Sequence, residues 1–132
     1  MRARNALGRP VPKGDPSAVE GVGEQSLPAD QALALAQRLL GAGRAFSAHE
    51  VLEATWKAAP ADERACWQGL AQICVGVTHL QRGNLVGAAR LLRRGAATAP
   101  DDIAAQARTL AEQVDGGRAD APVLRLPRSV RP

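Results

Sequence analysis

A repeat at a spacing of forty residues constrains this chain more than any other feature. Shifting GRAFSAHEVLEATWKAAPAD by forty positions lays it over GNLVGAARLLRRGAATAPDD. Gly43 then falls on Gly83, Ala48 on Ala88, Leu52 on Leu92, Pro60 on Pro100 and Asp62 on Asp102; one helix earlier, Ala36 falls on Gly76. Each copy reads as a helical hairpin, with a small residue where the helices touch, a glycine at the turn and a proline that stops the second helix. Two such hairpins and a final helix predict an all-α fold, a small right-handed stack of about five helices.

The helical patterns agree. The first runs from about Pro28 to Leu40, with Leu33, Ala36 and Leu40 on one face, and stops at Gly41. The second is expected to begin at Ser47, where Ser47 and Glu50 have the spacing of a capping box and Phe46 and Val51 that of a hydrophobic staple. The third, about Asp62 to Arg82, is the most apolar and should be central. Gly83 breaks the chain and Asn84 caps the fourth, which carries Leu91 and Leu92. The fifth, Asp102 to Val114, ends at Gly116-Gly117. Aromatics make up only 2% of the chain, so the helices must approach closely through small residues such as Gly69 and Gly76. The helical domain is thus placed at residues 27–116. Residues 1–26, rich in Pro, Gly and charge, predict a disordered tail, and residues 117–132, with three prolines among the last eleven, an extended or disordered one.

Charge excludes some functions. The net charge of +4 is concentrated at the ends, where Arg2, Arg4, Arg9 and Lys13 precede the domain and Arg118, Arg125, Arg128 and Arg131 follow it. The middle carries nine basic and twelve acidic residues. Basic ends can touch nucleic acid weakly, but Arg90, Arg93 and Arg94 have no interleaved aromatics on which bases could stack, so a nucleic-acid role is not expected. Cys66 and Cys74 lie eight apart on one helix, about 12 Å along its axis, too far to bond to each other. They read as small apolar residues in a reducing compartment. With no apolar run of membrane length and no signal peptide, the expectation is a cytoplasmic protein.

The chemistry is concentrated in FSAHEVLEATW. On a helix advancing about 100° per residue, His49, Glu53 and Trp56 share a face. On the third helix, Gln68, Gln72 and His79 form a polar stripe in an otherwise apolar segment. If the second and third helices are antiparallel, the two sets face one another, and polar groups buried there need partners. Three readings follow. The cluster can be a hydrogen-bond network that fixes helix register. It can be a site for a divalent transition metal, with His49, Glu53 and His79 as ligands. Or His49 and Glu53 can be an acid–base pair. HEVLE lacks the second histidine of H-E-x-x-H, so zinc-protease chemistry is not supported.

AHEVLEATWK followed by QGLAQICVGVTHLQRGNLVGAARLLRRG resembles the two signature segments of the domain of unknown function 309 family. His49, Glu53 and Trp56 match its H-x-x-x-E-x-x-W motif, and Gln68, Gly69, His79, Gly83 and Asn84 match its Q-G-L…H-L-x-x-G-N segment, while Thr78 stands where the family often has an aromatic residue. The second copy, with Gly76, Gly83, Ala88, Leu92 and Pro100, also bears a distant likeness to a tetratricopeptide-type unit. The resemblance implies a small all-helical fold and no established activity. The expected role is a binding or interaction module, acting on a protein partner or as a homodimer, with the polar cluster as its site.

Overall fold

Five helices follow one another along the chain: α1 (Ala29–Gly41), α2 (Ala45–Ala58), α3 (Arg64–Gln81), α4 (Leu85–Ala96) and α5 (Asp101–Asp115). The structure is a computed structural model and describes residues 3–22 and 25–131, so Arg2 of the basic N-terminal group lies outside the described residues. Each helix packs mainly on its neighbour in sequence, α1 on α2, α2 on α3, α3 on α4 and α4 on α5, which is the stacking the repeat predicts. None of the described helices is long and apolar enough to cross a membrane.

The two hairpin turns are the same structure. Gly43 (φ +75°) and Gly83 (φ +80°) take the left-handed conformation that glycine adopts without a Cβ penalty. Gly43 N–H donates to the Leu40 carbonyl (3.0 Å) and Arg44 N–H to Leu39 (2.8 Å); forty residues on, Gly83 N–H donates to Leu80 (3.0 Å) and Asn84 N–H to His79 (2.9 Å). This double closure is the Schellman motif, and in both hairpins its last residue is also the N-cap of the next helix. Asn84 uses that position fully, its side-chain oxygen accepting from Gly87 N–H at 3.0 Å.

The same geometry corrects the expected start of α2. The turn makes Arg44 the N-cap, so the helix begins at Ala45 and Ser47 lies inside it, buried. No capping box forms, and no staple either, because Phe46 is already helical. Its ring faces away from the core towards Arg4 and Arg82, whose guanidinium carbons lie 5.0 and 5.8 Å from its centroid.

The core runs the length of the stack, from Leu33 and Leu40 through Leu52, Leu70, Ile73, Leu80 and Leu92 to Ile103 and Leu110. The α3–α4 contact is its tightest part. A Cβ at Gly95 would stand 2.5 Å from the Gly69 carbonyl oxygen, and one at Gly76 would meet Leu92 Cγ at 2.9 Å. Helix backbones here touch directly, which only glycine permits. Trp67 is 1% exposed, and burial pushes the Cys74 thiol up to about 12; Cys66 and Cys74 are both free.

Composition predicts no regular structure before residue 27, and the described residues there hold only a minimal ribbon. β1 (Arg4–Asn5) pairs antiparallel with β2 (Ala18–Val19), Arg4 opposite Val19 and Asn5 opposite Ala18. Asn5 Oδ1 accepts from both Leu7 and Arg9 N–H at 3.0 Å, closing the loop. The ribbon is tied to the helices by Arg82 Nε donating to the Leu7 carbonyl (2.8 Å) and by Arg44 donating to the Glu20 carbonyl. After Gly117 the described residues form no helix or strand, and Leu124 among them is buried at 5% exposure.

Candidate functional site

The second hairpin turn explains one half of the expected cluster. Because Asn84 Oδ1 is held by Gly87, its amide nitrogen points at His79 Nδ1, 3.2 Å away. An amide nitrogen can only donate, so His79 accepts at Nδ1. Partial burial, then the Arg82 charge, holds this histidine below its usual pKa. His79, Gly83 and Asn84 therefore form a turn-fixing unit at the end of α3. Gln68 and Gln72 lie half-buried on α3, and among the described residues neither side chain makes a hydrogen bond.

The other half is an ion-paired row on α2. His49 Nε2 meets Glu53 Oε2 at 2.7 Å, and Glu53 Oε1 meets Lys57 Nζ at 3.0 Å. Each step spans four residues, the spacing that brings side chains together on one helix face. A carboxylate accepts, so His49 carries a proton on Nε2; its Nδ1 is buried and has no hydrogen-bond partner among the described residues. Partial burial works to raise the Glu53 carboxyl, but the Lys57 hydrogen bond and the neighbouring His49 and Lys57 charges outweigh it and hold it below the usual range. Glu50, one turn away, shifts the other way, raised by burial. The Phe46 ring lies against His49, with centroids 5.3 Å apart and planes tilted by 57°. Trp56 packs half-buried on the core.

This row does not face α3. It forms one wall of a cleft of about 850 Å³ whose other wall is the N-terminal ribbon, with Arg4, Val19 and Glu20 opposite Phe46, His49, Glu50, Glu53 and Lys57. The structure thus joins His49 to Glu53 as expected and does not join them to Gln68, Gln72 or His79: among the described residues no hydrogen bond links the two sets. The ligand triad His49, Glu53 and His79 is not assembled, since among the described residues no group of three His, Cys, Asp or Glu side chains is placed to hold a metal ion. The physical reason is the turn. It commits His79 to Asn84, while the row on α2 is turned to the ribbon.

Arg4, Glu50 and Lys57 belong to the cleft and carry no cross-helix signal. Lys57 was legible as the next residue in the four-residue series from His49 and Glu53. Arg4 was not, because two-residue strands show no periodicity.

Residues 33–91 match the model of the family described as Domain of unknown function (DUF309), which bears out the resemblance of the two motif segments. The match takes in His49, Glu53, Trp56 and His79; the ribbon, α5 and the C-terminal segment fall outside it. Searches of curated proteins and of solved structures give no match.

Proposed function

We propose that this chain, whose residues 33–91 match the DUF309 family model, is a binding module that takes a small polar ligand in the cleft between α2 and the N-terminal ribbon. The observation that carries this reading is Glu50. It lines the cleft beside the His49–Glu53 pair, half-buried, with no side-chain hydrogen bond among the described residues. A carboxyl group in that setting favours a ligand that donates hydrogen bonds, such as an amine or a polyol, and Glu53 would give it a second acceptor. Phe46 supplies an apolar surface beside His49, and the ribbon forms the opposite wall.

A thermal-shift screen of small amines and polyols tests the reading. A compound that raises the unfolding midpoint of the wild type, and loses that effect in both Glu50→Gln and Glu53→Gln, supports it. If no compound acts, or if the shift survives both substitutions, the cleft is not the binding site. Elemental analysis of untagged protein prepared without chelator addresses the metal-dependent alternative, since a stoichiometric transition metal lost in His49→Ala would replace the organic ligand by a metal.

A further inference from the structure

The C-terminal segment is held in a way that a mere tail does not need. Gln37 on α1 donates through Nε2 to the Leu124 carbonyl (3.0 Å) and accepts through Oε1 from Leu126 N–H (2.7 Å). Gln106 on α5 does the same to the residue between, donating to the Arg125 carbonyl (3.0 Å) and accepting from Arg125 N–H (2.9 Å). Two side-chain amides from the first and last helices thus grip three successive residues from opposite sides, each imitating the edge of a neighbouring strand. Beyond them Arg131 reaches Glu63 at the start of α3, with its nitrogens 2.8 and 2.9 Å from Oε2, and Trp67 Nε1 steadies the other carboxylate oxygen from 3.4 Å. Leu124 is buried, and Leu126 and Val130 pack on the core between these points.

We propose that the groove bounded by α1, α5 and the start of α3 is a peptide-docking surface, and that residues 122–131 are its built-in occupant, displaced by a segment of a partner protein with the same chemistry. That chemistry is an extended stretch with leucines at alternate positions and an arginine some five residues beyond the second. The glutamines read only backbone, so they accept any extended chain; Leu124 and Leu126 mark the apolar positions, and Glu63 selects a cation. Between these ties the occupant is open to solvent at Val123, Arg125, Arg128 and Ser129, and Gly116-Gly117, the second at φ +104°, precedes it. This surface is separate from the α2 cleft and does not depend on it.

The test uses a fluorescein-labelled peptide, DAPVLRLPRSVR, and the full-length chain. In wild type the tethered segment competes at a high effective concentration and binding is weak; in the full-length Leu124→Asp/Leu126→Asp variant it should tighten about a hundredfold. Adding Gln37→Ala and Gln106→Ala to that variant should abolish the gain. No gain in a variant with native helical content overturns the proposal, as does a gain that survives loss of both glutamines. If the variant does not fold, hydrogen exchange on the wild type decides: Arg125 and Leu126 amides should exchange at least about tenfold faster than core amides of α3, by local release. Exchange only with global unfolding would make the segment a permanent strap and end the proposal. Wild-type dimers that the peptide dissociates would assign the groove to the tail of a second copy, overturning the partner reading.

Discussion

Position by position, the forty-residue shift sets His49 against Ala89, Glu53 against Arg93 and Trp56 against Ala96, while the turn glycines, the apolar Leu52 and Leu92 and the closing prolines coincide. The second hairpin is closed through glycine, with α3 and α4 in backbone contact and Ala89 buried in the core where the first hairpin shows a histidine to the cleft. What the two copies share makes the fold. What only one carries makes the candidate site. The chemistry has been added to the outer face of the first hairpin, where the ribbon can cover it, and the second has been tightened as the centre of the stack.

That contrast can be broken by mutation. The largest effect is expected at Gly95, which corresponds to Thr55 in the first hairpin. Gly95→Val would drive a side chain into the Gly69 carbonyl and Ile73, neither free to move away, and should cost about 3 kcal/mol or more in chemical denaturation. Thr55→Val, with only the hydroxyl bond to Val51 to lose, should cost about 1 kcal/mol. Equal losses would show that the two hairpins are packed alike. Next come Leu52→Ala and Leu92→Ala, both fully buried, each expected to lose about 2–5 kcal/mol. The larger loss should fall on Leu92, which also packs over Gly76, and urea midpoints would rank them.

A smaller effect separates the turns. Asn84→Ala removes the bond to Gly87 and the donor to His79 and should cost about 1 kcal/mol, whereas Arg44→Ala removes no cap and loses only the exposed bond to the Glu20 carbonyl and the part-buried one to Ser47, which should cost less. Circular dichroism melts of the pair would show the asymmetry. Smallest of all is Glu50→Gln. The Glu50 carboxyl is raised in the folded state, so the folded chain holds its proton more tightly than the unfolded one. Stability on this account falls as pH rises through the carboxylate range, and the cost is fully present at neutral pH. Glu50→Gln should therefore raise the melting midpoint slightly at pH 7 and change nothing at pH 3. A drop at pH 7 would mean that Glu50 has a stabilising partner.

Most of the helical frame was legible, because glycine and proline punctuate the chain and apolar residues recur at helical spacing. The start of α2 was misplaced although the information was present: the forty-residue shift pairs Arg44 with Asn84, and a cap in one copy implies the other's boundary. The S-x-x-E pattern at Ser47 and Glu50 is a local signal, and here the turn overrides it. The His49–Glu53 contact was legible since both residues lie on one helix. Its surroundings were not, because which way a helix face points depends on segments far away. Gln37 and Gln106 gave no sign in sequence, as a glutamine that grips backbone looks like any other on a helix surface.

The tie between Gln37 and Leu126 spans 89 residues, whereas every main helix contact joins neighbours in sequence. Hairpins with such local contacts form early, since little loop entropy opposes them, and closure between the first and last parts comes late. In a chain made from its N-terminus onward, Gln37 on α1 therefore stays unoccupied while the four later helices are made. During that interval the groove is open to whatever extended segment arrives first, and residues 124–126 complete it only after α5 has been made.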